Sequence, residues 1–430
     1  RSTPLYSSAA SDVYKRQLLP HLCKFLYLRE YTVKFKSDFK LDKIELQPKD
    51  LPRLPEVVKP RDYQLDAVNH ALSNHRSLLL SPTASGKSLI IYILVRYLKL
   101  KTLILVPTTS LVSQMYNDFR EYGWDVANNC HTVFAGRDKG SELPVIISTW
   151  QSIYKMQQKY FEQYELVIGD EAHGFKSKSL TSIMTKCINA KYRIGTTGTL
   201  DGTQTHKLVL EGLFGKVYKV TSTKTLIDQK HLSPFQINAL VLKHPDSICF
   251  NLKNISYQEE LEYLIGSEAR NKYIVNLTLG MKGNSLLLFR FVEKHGQLLY
   301  DMIRENTDGK RKIFFVHGGT DTDTRESIRH TVESERDAII VASYGVFSVG
   351  VNIRNLSNIV FASPSKSRIR NLQSIGRGLR KSNFKKMATL YDVADDLKHK
   401  EKKNYTLEHY EERVRIYKEE RFPLATYHIQ

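Results

Sequence analysis

The sequence predicts an α/β protein of two tandem domains, each built on a parallel sheet. Three observations predict this. At 430 residues the chain has room for two or three domains of about 150 residues each. Short apolar runs alternate with helix-length segments, which is how strands buried on both faces and joined by crossover helices read in sequence. The alternation occurs in two successive series. With 41% hydrophobic and 25% charged residues, the composition supports full cores rather than an extended chain.

The elements follow in order. Residues 1–17 have no periodicity and no signal-peptide pattern and are expected to be a non-native leader. Residues 18–59 are expected to be the remnant of an amino-terminal domain and its linker. They hold a helical stretch near residues 22–28 and an alternating stretch over 31–39. Four prolines then follow, Pro48, Pro52, Pro55 and Pro60, which is linker composition. The first α/β domain is placed at 60–225, with strands expected at 77–80, 102–106, 144–148, 166–168 and 192–195. The second is placed at 226–396, with strands expected at 237–242, 285–289, 312–316, 338–341 and 359–362. Residues 397–430 are expected to be a charged tail with a helix over 407–420.

Charge and cysteine usage narrow the class. Lys and Arg number 64 against 45 Asp and Glu, a net charge of +19, which favours a polyanionic partner if motifs support one. Cys23, Cys130, Cys187 and Cys249 are scattered, so neither a disulfide framework nor a zinc site is indicated, and the chain reads as cytoplasmic, in a host cytoplasm if viral. The longest uncharged stretch, 338–353, is too short and too polar to span a bilayer. No membrane partner is expected.

Three motifs carry chemistry. Ser81-Pro82-Thr83-Ala84-Ser85-Gly86-Lys87-Ser88 follows a predicted strand and opens an apolar helix, the context a phosphate-binding loop requires. Thr83, Ser85 and Gly86 let backbone N–H groups face phosphates, Lys87 reaches the terminal phosphates, and Ser88 ligates Mg2+. Ser81 and Ala84 stand where glycines are more usual. Asp170-Glu171-Ala172-His173 comes at the carboxyl end of a predicted buried strand, where open α/β sheets bind ligands. Alone it reads as a helix start. Paired with Lys87, it gives Asp170 to the magnesium shell and Glu171 to the attacking water. Gln373-Ser374-Ile375-Gly376-Arg377-Gly378-Leu379-Arg380 sets Arg377 and Arg380 three apart on one helical face, so that both guanidinium groups can point into one cleft. They are either a solvated basic face or the cations that complete a nucleotide site.

In order along the chain, Tyr63-Gln64, Ser85 to Ser88, Pro107-Thr108-Thr109, Ser148-Thr149-Trp150-Gln151, Asp170 to His173, Thr197-Gly198-Thr199, Gly345 to Gly350 and Gln373 to Arg380 resemble the superfamily 2 helicases. The stretches 105–109 and 341–348, with Leu18-Leu19-Pro20, are similar to the UvsW-type phage recombination helicases. The resemblance implies two RecA-like domains with the ATP site in the cleft between them, and ATP with Mg2+ as the nucleotide. Arg61 and Gln64 match adenine contacts, the first by stacking and the second by hydrogen bonds. His173, Thr197 and Thr199 match the segment that couples phosphate state to domain movement. Pro107, Thr108, Thr149 and Gln151 match first-domain backbone contacts to nucleic acid, and His317, Gly318, Ser343 and Gly345 second-domain ones. Gly350 matches a loop touching both ligands, and Gln373, Arg377 and Arg380 match catalytic positions. Two departures stand out: Asn352 where many relatives have an acid near the ribose, and Gly198 in place of a common alanine.

The resemblance further implies ATP-dependent strand separation on single-stranded and branched DNA, with an RNA–DNA hybrid as a further partner. A monomer is expected. An RNA helicase and a duplex-DNA translocase of a restriction system are the alternatives. Trp150 and the charge run 398–403 read more simply as packing and a solvated face.

Overall fold

The computed structural model describes residues 19–32, 44–134, 136–175, 177–307, 309, 311–349, 353–363, 365, 367–382 and 384–430. The expected leader, Leu18, most of the alternating stretch over 31–39, Gly350 and Asn352 lie outside the described residues. The chain divides into two compact units, Arg1–Thr221 and Ser222–Gln430. The sequence-based division at 225/226 would fall inside the helix Thr223–Asp228, which the Ser222 hydroxyl caps by accepting from Thr225 N at 3.0 Å.

The first unit holds a seven-stranded sheet. Its strands are β1 (Arg76–Leu80), β2 (Thr102–Val106), β3 (Cys130–Val133), β4 (Val145–Thr149), β5 (Leu166–Asp170), β6 (Tyr192–Thr197) and β7 (Val217–Lys219). Their order is β3-β4-β2-β5-β6-β1-β7, and every pairing is parallel. Helices cover both faces with separate apolar cores, which is why central strands carry unbroken apolar runs such as Leu103-Ile104-Leu105-Val106 in β2 and Leu166-Val167-Ile168 in β5. The helix Lys87–Leu98 is buried at every residue from Leu89 to Val95, which explains its uninterrupted apolar text. Gly169 and Gly195 pair across β5 and β6. A Cβ on either would come within 2.9 Å of Phe214, so the paired glycines make room for that ring.

The second unit repeats the plan with β8 (Phe235–Lys243), β9 (Ser285–Phe289), β10 (Ile313–Val316), β11 (Ile339–Ser343), β12 (Asn358–Phe361), β13 (Ala388–Asp396) and β14 (Leu424–Ile429). The order is β10-β11-β9-β12-β13-β8-β14, again parallel throughout. Two parallel α/β sheets with helices are the RecA-like arrangement. The tail is helical over Tyr405–Glu419, and the chain then adds β14 beside β8, a strand the sequence reading did not anticipate. Among the described residues no helix is long and apolar enough to cross a membrane.

A buried ion pair fastens that tail helix to the sheet. Arg413, on the helix, donates from Nε and Nη2 to the Asp392 carboxylate of β13 at 2.9 Å, and Tyr417 Oη donates to the same carboxylate at 2.8 Å. Arg413 and Asp392 side chains are 1% and 0% exposed. Replacing Arg413 with methionine strands a buried carboxylate, and urea denaturation should show a loss of about 3–5 kcal/mol. The double variant Arg413→Met/Asp392→Asn should recover part of it. A loss below about 1 kcal/mol, the size of an exposed pair, would show that the pair does not hold the tail.

Candidate nucleotide site and nucleic-acid edges

Strand register assembles the candidate nucleotide cluster. Leu80 of β1 pairs with Thr197 of β6, and Thr196 of β6 pairs with Asp170 of β5. The carboxyl ends of three neighbouring strands therefore present the loop 81–86, Thr197 and Asp170 side by side. The loop turns through left-handed backbone at Ala84 (φ +65°) and Gly86 (φ +82°). Ala84 carries the steric cost a glycine would avoid. At Gly86 a Cβ would collide with Gln64 Nε2, because that amide donates to the carbonyls of Ser85 at 2.9 Å and Gly86 at 3.4 Å. Ser81 and Ser85 are buried, their hydroxyls 2.6 Å apart, and Ser85 Oγ also lies 2.6 Å from Pro82 O. Hydroxyl bonds thus hold the loop where Ser81 replaces a more usual glycine.

Gln64 accordingly holds the loop from behind. Tyr63 joins it, donating from its hydroxyl to Ser85 O at 2.9 Å while Arg61 Nη1 donates to Tyr63 Oη at 2.6 Å. Ser88 Oγ lies 3.0 Å from Tyr122 Oη, and burial, with Asp118 nearby, pushes that phenol up to about 12. Sequence reasoning missed Tyr122, because nothing in its local text links the end of the helix Thr109–Glu121 to the loop.

The acidic residues form a connected set. Lys87 Nζ is 3.6 Å from Glu171 Oε1, and His173 Nδ1 is 3.3 Å from Glu171 Oε2 and 3.1 Å from Thr197 Oγ1. Thr197 Oγ1 donates to Thr199 O at 3.0 Å. Its one proton is thereby used, and it accepts from His173, which places a proton on Nδ1. Thr196 Oγ1 donates to Asp170 Oδ1 at 2.6 Å. Burial raises the Asp170 pKa, and the Glu171 charge adds to it, while Lys87 and Thr196 oppose. A Cβ on Gly198 would come within 3.5 Å of Thr83 N and Oγ1 and 3.7 Å of Lys87 Nζ. The segment Thr197-Gly198-Thr199 therefore lies against the phosphate loop. Thr199 Oγ1 is buried with no hydrogen-bond partner among the described residues. Among those residues no group of three or more His, Cys, Asp or Glu is spaced to hold a metal.

A second set lines up on β2 and β4, whose ends Val106 and Thr149 pair. Thr108 caps the helix Thr109–Glu121, accepting from Leu111 N at 3.4 Å. Gln151 Nε2 donates to Pro107 O at 3.2 Å, and Thr149 Oγ1 is 2.8 Å from Ser152 Oγ. Trp150 packs on the core with its ring 6.0 Å from that of Tyr154.

In the second unit Val316 of β10 pairs with Ala342 of β11, so His317 and Ser343 are neighbours on one carboxyl edge. His317 Nδ1 accepts from Gly319 N at 3.2 Å, and Arg325 Nη2 donates to the carbonyls of His317 at 3.2 Å and Gly318 at 3.0 Å. Gly345 sits in the helix Tyr344–Val349. Gln373 and Arg377 lie on the helix Arg368–Gly378. Arg380 does not share its face: the helix ends at Gly378, where Lys385 Nζ donates to the Gly378 carbonyl at 2.7 Å, and Ser233 takes the next two carbonyls, Leu379 O at 2.8 Å and Arg380 O at 3.2 Å. Burial lowers that lysine to about 8.

Known proteins share this pattern. The family model for the type III restriction enzyme res subunit matches residues 57–202, and that for the helicase conserved C-terminal domain matches residues 269–382. The chain is 35% identical over 386 residues to the ATP-dependent DNA helicase uvsW of Enterobacteria phage T4, covering 85% of this chain and 76% of that protein. It is 23% identical over 409 residues to the DNA 3'-5' translocase XPB2 of Sulfurisphaera tokodaii, covering 86% and 89%. Among solved structures, T4 UvsW aligns at 31% identity and a TM-score of 0.43 over 96% of this chain and 87% of that one. The type ISP restriction-modification enzyme LlaBIII bound to DNA aligns at 17% identity and a TM-score of 0.64, over 86% of this chain and 31% of that one, a likeness of fold.

Two parallel α/β units, a loop that sets Lys87 beside the Asp170-Glu171 pair, and the matches to the two family models and to the phage helicase define an ATP-dependent nucleic-acid helicase. Within superfamily 2, the chain belongs to the UvsW-type helicase family.

Proposed function

We propose that this helicase acts on DNA and remodels branched forms of it: forks, recombination junctions, D-loops or R-loops. The observation that carries the reading is the 35% identity over 386 residues to a phage DNA helicase, and the net charge of +19 supports a polyanionic track.

In this reading Gln64 and Tyr63 fix the loop 81–86, Arg61 and Gln64 serve the adenine, and Thr83, Ser85 and Gly86 receive the phosphates. Lys87 binds the terminal phosphates, and Glu171 orients the attacking water and takes its proton. Ser88 and Asp170 would hold Mg2+. Both are hard oxygen donors of the kind that ion takes, and burial beside the Glu171 charge raises the Asp170 carboxyl pKa, a penalty that a bound cation would offset. When bound, the ion neutralises phosphate charge. His173 links Glu171 to Thr197, so loss of the terminal phosphate alters the hydrogen bonds of residues 197–199. Gln373, Arg377 and Arg380 stabilise the charge that develops on the transferred phosphoryl group. Pro107, Thr108, Thr149 and Gln151 hold the backbone of one strand, as do His317, Gly318, Ser343 and Gly345.

Backbone tracking predicts a salt law. Log affinity for single-stranded DNA should fall linearly with log salt, at roughly 0.7 per neutralised phosphate, and the slope should not depend on base sequence. Substrate class is tested by unwinding a four-way junction, a fork and a linear duplex of equal pair count. Faster unwinding of the branched substrates is expected. Equal rates would reduce the protein to a general helicase, activity confined to RNA duplex would make it an RNA helicase, and ATP-driven movement without strand separation would make it a translocase.

A further inference from the structure

Next to the edge that carries His317 and Ser343, the second unit has a pocket of about 390 Å³ lined by two arginines, Arg290 and Arg370, and three rings, Tyr257, Tyr405 and His409. Register places it in the same row. Ser343 of β11 pairs with Phe289 of β9, so Arg290, the next residue, stands beside the end of β11, while His317 stands on its other flank at the end of β10.

The two arginines differ from their neighbours. Arg270 is paired with Asp395, Arg413 with Asp392, and Arg368 with Glu419 and Glu420. Around Arg290 and Arg370 no carboxylate lies within ion-pair distance among the described residues. Arg290 Nη1 instead donates to Tyr257 Oη at 3.1 Å, and the Arg370 guanidinium sits 5.8 Å from the Tyr344 ring centre. Arg370 also lies in the first turn of the helix Arg368–Gly378, whose cap Ser367 lines the pocket. Two unneutralised guanidinium groups, one of them at a helix start, suit a phosphate.

The rings add a second kind of contact. Tyr257 meets Tyr405 at 6.0 Å and His409 at 5.2 Å, both edge to face, and Tyr405 is 46% exposed. An exposed ring beside paired cations is what single-stranded nucleic acid uses, base on ring and backbone on charge.

The Arg290 backbone is held rigidly. Its N–H donates to Ser363 Oγ at 3.1 Å, and the same oxygen is 3.1 Å from His295 Nδ1, whose Nε2 is 3.2 Å from Asn271 Oδ1. Burial, reinforced by Arg270, pulls His295 down to about 3. It stays neutral, donates from Nε2 to Asn271, and accepts from the Ser363 hydroxyl.

We propose that this pocket binds one nucleotide of the tracked single strand, its phosphate between Arg290 and Arg370 and its base on Tyr405. The proposal rests on the reading that this edge takes nucleic acid. The test is fluorescence anisotropy of the full chain with an oligothymidine and with an abasic strand of the same length, across a salt series. Arg290→Gln and Arg370→Gln should each lower the salt slope by about 0.7 on both strands. Tyr405→Ala should weaken the oligothymidine roughly five- to hundredfold and spare the abasic strand, with Tyr405→Phe restoring affinity. ATP affinity, read in parallel, should be unchanged in all four variants. A steep wild-type slope that the arginine variants share would overturn this pocket alone, and a flat wild-type slope would overturn the wider reading. Inorganic phosphate that binds the wild type but not the arginine variants, without displacing the oligothymidine, would make it a free-phosphate site and also overturn the proposal.

Discussion

Alanine at Arg377 or at Arg380 is expected to cut nucleic-acid-stimulated ATP turnover by about 10³- to 10⁵-fold, the range of an arginine that neutralises a transferring phosphoryl group. Affinity for single-stranded DNA should change far less. The two positions are held by different means. Arg377 rides on the helix Arg368–Gly378, which packs so closely on β12 that a Cβ at Gly378 would stand 2.5 Å from Ile359 Cδ1. Arg380 lies in the following turn, where the Ser233 hydroxyl donates to its carbonyl at 3.2 Å. Lysine at either position should restore little, since a point charge does not reproduce the planar fork. Turnover and strand affinity measured on the same variants decide the matter. Lost affinity with intact turnover would return both arginines to a solvated basic face.

Glu171→Gln should keep ATP binding and slow turnover by roughly 10²- to 10⁴-fold, the usual worth of a positioned general base. The geometry explains why binding survives. Glutamine keeps the shape that meets Lys87 at 3.6 Å and His173 at 3.3 Å, and removing the Glu171 charge lowers the proton affinity of Asp170, which that charge helps to raise. Asp170 is then more readily ionised for a cation. Lys87→Ala acts on the ground state and should weaken nucleotide affinity itself. Equilibrium nucleotide binding beside single-turnover hydrolysis separates the two, and wild-type turnover in Glu171→Gln would refute its assignment as the base.

Both predictions start from residues that are legible in the sequence, because each lies in a local pattern. A phosphate loop needs a strand before it and a helix after it, and the apolar runs on either side of residues 81–88 supply both. The acidic pair stands at the end of a strand apolar enough to be recognised, β5. Strands that were missed lack this mark. β3 and β7 are short, with polar residues among the apolar ones, and β7 is an edge strand. β13 carries Asp392, Asp395 and Asp396 and reads as polar, yet Asp392 and Asp395 are fully buried. β14 has no buried residue.

The sequence by itself determined the α/β class, the two series of strands, the strand–loop–helix around residues 81–88, and the place of Asp170 and Glu171 at a strand end, since these depend on periodicity and on residues adjacent in the chain. Tertiary structure alone decided which distant groups complete them. Asp395 is neutralised by Arg270, 125 residues away, and Asp392 by Arg413 from the tail helix. Tyr122 reaches Ser88 across 34 residues, and Ser233 and Lys385 end the helix before Arg380. A buried polar group must find a partner wherever folding brings one within about 3 Å, and no spacing along the chain encodes that meeting.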